Sequence, residues 1–67
     1  MEEKYGIVNT NGLNLRLRAK PNLDEDNVIE LIQDGSKVLI LSMYKSWYKV
    51  KTQSNTGYCL KKYISIL

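Results

Sequence analysis

A chain of 67 residues is enough for one small domain, and at this size only about 60% of the unfolded surface is buried on folding. With 43% hydrophobic and 25% charged residues it lies outside the disordered and collagen-like compositions, and its net charge of +3 favours anionic partners only weakly. No run approaches the roughly 20 apolar residues of a membrane helix, and "MEEKYG" lacks the apolar stretch of a signal peptide, so any export signal would have to sit upstream on a longer parent protein and its absence here does not settle location. Residues 1–4 read as a tail and 5–67 as one domain.

In "YGIVNTNGLNLRLR" two β-prone runs flank Asn11-Gly12, a dipeptide suited to positive φ, which predicts a hairpin. Leu13, Leu15 and Leu17 alternate with Asn14, Arg16 and Arg18, so the three leucines are expected to face the core. Pro21 disfavours helix at Lys20, and "RAKPNLDEDN" reads as an exposed loop. A short strand, "VIELI", leads to a turn at Asp34-Gly35. Next comes the strand "KVLILSMY", apolar on both faces and therefore expected at the centre of the domain. "WYKVKT" alternates again, and "QSNTG" turns into "YCLKKYISIL". Short strands separated by turns, with no amphipathic helix, predict an all-β fold, a small barrel of five to seven strands.

The chain has no histidine and one cysteine, so neither an internal disulfide nor a soft-metal ligand set is available, and no cofactor is expected. Cys59 lies in a predicted strand between Tyr58 and Leu60 and reads as a buried, inert thiol. Asp24, Glu25 and Asp26 are consecutive in the loop and read as a solvated turn rather than a catalytic pair. Arg18 can pair with Asp24 or Asp26 to shape that loop or face a ligand; the pairing is the preferred reading. The glycines are isolated at turns, so no phosphate-cradling loop is present. What remains is an aromatic set in which every ring has a polar handle: Tyr5, Tyr44, Trp47, Tyr48, Tyr58 and Tyr63. Tyr48 shares a face with Val50 and reads as core or rim, whereas Trp47 falls on the opposite face with Lys49 and Lys51 and is open to either role.

Four pieces in order resemble the bacterial SH3-like domains, in particular the type-3 group found on cell-wall hydrolases and phage endolysins. Leu15-Arg16-Leu17-Arg18-Ala19-Lys20-Pro21-Asn22 is similar to the family's Leu-Asn-Val-Arg-x-Gly-Pro-Ser. The run from Val28 to Val38 resembles its V-I-G-x-L-x-x-G-x-x-V, Trp47-Tyr48-Lys49-Val50 its W-Y-K-V, and Gly57 to Ile64 its closing G-W-V-x-x-x-Y-(L/I). Lys20 stands where the family carries glycine, and Tyr58-Cys59 where it carries Trp-Val. The ending is also similar to the G-Y-I-P-S-N-Y-V of eukaryotic SH3 domains, which points to Tyr63 and Trp47 as groove residues; the "ALYDY" of peptide-binding SH3 domains has no counterpart in "YGIVN". The resemblance implies a non-catalytic, monomeric module, outside the cell or in its wall, that holds a parent peptidoglycan hydrolase against peptidoglycan peptide or glycan. The implied ligand contacts are Trp47, Tyr63, Tyr44, Arg18 and Asp24. The alternative is a protein-interaction module binding extended peptides in an SH3-like manner. Nucleic acid ranks last, because seven carboxylates dilute the basic field, and a membrane partner is not expected.

Overall fold

The computed structural model describes residues 3–67. Of the expected tail, Met1 and Glu2 lie outside the described residues, and Lys4 opens the first strand. The strands are β1 (Lys4–Val8), β2 (Leu15–Arg18), β3 (Val28–Ile32), β4 (Lys37–Tyr44), β5 (Trp47–Lys51), β6 (Thr56–Leu60) and β7 (Ile64–Ile66). Short 3₁₀ turns at Glu25–Asn27 and Lys61–Tyr63 precede β3 and β7. All pairings are antiparallel in one seven-stranded sheet of order β3-β2-β6-β5-β4-β1-β7. The sheet curls into a small barrel, so that Ile32 and Ile64, from the two ends of that order, enter one core with Val8, Leu15, Leu17, Val38, Val50 and Cys59. The all-β, SH3-like barrel expected from the turn spacing is the fold observed.

The hairpin is not. Asn11 and Gly12 do adopt positive φ, 56° and 90°, but β1 pairs with β4 and β7, while β2 pairs with β3 and β6. The dipeptide set the local turn, and long-range pairing set the partners. The connection is held instead by Asp34, whose Oδ1 accepts from the Thr10 N–H at 2.8 Å and whose Oδ2 accepts from the Gly12 N–H at 2.9 Å. Leu13 consequently sits in a loop and is 70% exposed, correcting its expected core position. The other end of the barrel is tied by Glu30, whose Oε1 lies 2.8 Å from the Thr52 hydroxyl and 3.0 Å from the Asn55 amide that donates to it.

Strand β4 also departs from expectation. Val38 is buried and Ile40 packs against the core, but Leu41 and Met43 face outward. The register against β5 slips between Ile40 and Ser42, and such a bulge inserts one unpaired residue and re-aims the side chains beyond it. A sheet covered on both faces was therefore the wrong inference from an apolar run.

Thr10 and Gly12 give Asp34 a pH signature. The main-chain N–H groups, that of Thr10 first and Gly12 next, hold its carboxyl below the usual carboxylate range. A folded-state value below the unfolded one contributes stability that is complete above the unfolded value and lost as pH falls through the folded one. Asp34→Asn keeps one carbonyl oxygen for two donors. It is expected to melt below the wild type at pH 7, with the gap closing as the wild type is acidified below about pH 4, measured by circular dichroism melts across pH.

Candidate functional site

Loop 9–14, loop 19–27 and the 3₁₀ turn at Lys61–Tyr63 stand around the start of β5 and enclose an open groove of about 480 Å³. Its first wall is the loop anchored by Asp34, folded on itself by the Thr10 hydroxyl, which donates to the Leu13 carbonyl, and by the Leu13 N–H, which donates to the Thr10 carbonyl at 3.3 Å. This presents Leu13 to the groove.

The second wall is built by Arg18. Its guanidinium is buried and Nη1 donates to the main-chain carbonyl of Asp24 at 2.7 Å. The Asn22 Oδ1 accepts from the Asp24 N–H at 3.1 Å, and the Asn27 carbonyl accepts from the Ala19 N–H at 2.8 Å, so the loop is closed on itself. Leu23, 66% exposed, is carried to the groove on this loop. Lys20 keeps φ outside the left-handed region, so the lysine meets no backbone strain where the family carries glycine.

The floor is Trp47, opposite Leu60 in the β5–β6 register and 8% exposed. Strand alternation alone set it with the outward lysines. The curl of the sheet and the loops above the start of β5 bury it instead. Tyr63 packs against the core, lines the groove, and is tied to the end of β1 by its carbonyl, which accepts from the Asn9 N–H at 2.8 Å.

Of the residues singled out in the sequence, Trp47, Tyr63 and Arg18 thus meet in one groove. Arg18 does approach Asp24, but the partner is the main-chain carbonyl rather than the carboxylate, so the expected ion pair is replaced by a hydrogen bond that fixes loop shape. Asp24 lines a separate shallow depression with Lys20, Asn27 and Ile29. Tyr44 lies outside the groove, 49% exposed at the end of β4, with the Lys45 ammonium 5.3 Å from its ring centre. The residues missed are Leu13, Leu23 and Leu60. A lone leucine in the polar run "PNLDEDN" was the available signal for Leu23; the alternation with Leu15 and Leu17 concealed Leu13.

The groove lining holds no carboxylate, and Cys59 lies outside it, in the core. Cys59 is fully buried, and burial, with the Glu30 carboxylate adding to it, pushes its thiol up to about 12. At neutral pH it is a protonated, inaccessible thiol, unsuited to nucleophilic attack. What the groove offers is shape, apolar contact and a few donors, the features of a binding surface.

The bacterial SH3 domain family model matches residues 11–65 of this chain. No curated protein matches it. Among solved structures it is similar to NlpC2 from Trichomonas vaginalis, with a TM-score of 0.77 and 19% identity, covering 100% of this chain and 26% of that one. This second likeness is one of fold, and the chain spans about a quarter of NlpC2's length.

Proposed function

Because this chain belongs to the bacterial SH3 domain family, we propose that it is a non-catalytic module that binds peptidoglycan and holds a parent hydrolase against the cell wall, outside the cell. The observation that carries this reading is the groove: two leucines left 70% and 66% exposed, Leu13 and Leu23, stand over a buried tryptophan floor on otherwise unrelated loops. Apolar side chains held out by dedicated loop hydrogen bonds are poor for folding and useful for contact. The fold likeness to NlpC2, of which this fold makes up about a quarter, agrees with a module attached to a larger protein. A shallow groove of this kind binds weakly, and retention on a polymer comes from repeated engagement at high effective concentration.

The SH3-like alternative, recognition of proline-rich peptides, needs exposed aromatic ridges. Trp47 is a floor, not a ridge, and Tyr44 stands apart, which disfavours it.

The test is co-sedimentation with purified Gram-positive sacculi. The domain is expected to pellet with the wall, and Leu13→Ser and Leu23→Ser to lose retention severalfold while their stability stays within about 0.5 kcal/mol of the parent, since both side chains are exposed. A folded domain that stays in the supernatant with several wall chemotypes overturns the proposal.

A further inference from the structure

The groove continues past Leu23 and Leu60 onto a second surface lined by Lys45, Ser46, Lys61 and Lys62, with no carboxylate in its lining. Each ammonium is stationed by a ring: Lys45 is 5.3 Å from the Tyr44 centre, Lys61 5.4 Å from Tyr48 and Lys62 5.1 Å from Tyr63. Aromatic faces attract cations and limit their wandering, so this is a positioned group of charges. Lys61 is further drawn toward Met43, its Nζ 3.5 Å from the sulfur, which leaves Lys45 and Lys62 as the ammonium groups without a second side-chain contact of this kind.

A second, independent observation concerns Lys45. Its φ is 53°, in the left-handed region, and the only other non-glycine there among the described residues is Asn11. Asparagine tolerates that region; an unbranched cationic side chain has no local hydrogen bond to offset its cost. A residue that loosens its own turn is a candidate for a role outside the fold.

We propose that this lysine shelf binds a carboxylate at the end of a short peptide whose apolar side chains lie in the adjoining groove; the inference rests on the peptidoglycan reading above and narrows its ligand to the peptide stem. Apart from Arg16 and Arg18 the groove lining is uncharged, and Arg18 is engaged with the Asp24 carbonyl. A polyanion with a charge at every repeat is matched by a continuous basic track. A largely apolar channel that opens onto clustered lysines matches instead a short peptide that ends in apolar residues and a carboxylate. Lysine meets an anion as a compact point charge, without the bidentate geometry of the arginine fork.

The test uses the synthetic stem peptide L-Ala-D-isoGln-L-Lys-D-Ala-D-Ala as its free acid and as its C-terminal amide, followed by chemical-shift titration of the domain. The free acid is expected to bind about fivefold more tightly than the amide, the scale of a pair of exposed charge contacts. Lys62→Gln and Lys45→Asn should each narrow that gap, and Lys45→Asn should also melt about 4 °C higher, because it relieves the left-handed lysine. Equal affinity for acid and amide overturns the inference, as does an undiminished gap in both variants. Intact sacculi and sacculi stripped of phosphodiester polymers distinguish the anion: if the lysine variants weaken binding only to the unstripped wall, the shelf reads phosphate and the proposal falls. Retention on sacculi with no difference between acid and amide defeats this inference alone, whereas failure to bind any sacculus defeats the wall-binding reading while an acid preference would still support the shelf.

Discussion

Gly57→Ala is expected to remove a large part of the domain's stability. A Cβ at position 57 would lie 2.5 Å from the Arg18 carbonyl oxygen and 3.0 Å from Leu17 Cγ. The first is main chain and the second belongs to a side chain with no exposed surface, so neither can swing aside. Strand β6 is held along its whole length by β5, from Trp47↔Leu60 to Lys51↔Thr56, but meets β2 in register only at Arg18↔Tyr58. The strain must therefore open the β2–β6 seam, which joins β2 and β3 to the rest of the sheet. Overpacking of this kind costs about 1–3 kcal/mol or more, against a total of about 3–10 kcal/mol for a domain of this length. Urea unfolding followed by tryptophan fluorescence measures the loss; a midpoint matching the wild type would show that the seam is not closed by contact at Gly57.

Trp47→Ala is expected to cost about 3–5 kcal/mol, the scale of deleting a buried indole, because Trp47 is 8% exposed and forms the floor on which both groove walls rest. Loss of wall binding in this variant would thus report unfolding rather than a removed contact. Trp47→Phe retains most of the volume and should keep a cooperative melt with a smaller loss, which makes it the informative variant for the groove. Circular dichroism melts of the two variants check the order; if alanine were tolerated like phenylalanine, Trp47 would be a surface residue in solution and the floor described above would be wrong.

These two residues show where reasoning from the chain alone runs out. Alternation marked Leu15 and Leu17 as core, and they are. It failed at Leu13 and Trp47 for one reason, that period two holds only while the chain remains in an unbent strand. Leu13 precedes β2, in a loop held by Asp34, 21 positions along the chain. Trp47 begins β5, where a curling sheet and two distant loops cover what would otherwise be an outer face. Gly57 read as a turn glycine, although its requirement is clearance from β2.

The candidate site divides the same way. Ring types and the family pattern were legible residue by residue, since each depends on side-chain chemistry or local order. Which of those residues meet was not. Arg18 had a loop partner by sequence, but only the folded chain shows that it holds a carbonyl and so shapes the wall bearing Leu23. By itself the sequence determined an all-β barrel, its turns and a buried, unreactive Cys59, because strand patterning, positive-φ dipeptides and apolar neighbours act over a few residues. Tertiary structure alone decided the strand order, the groove and the lysine shelf at its end, because these arise from pairings between residues tens of positions apart, which local preference does not encode.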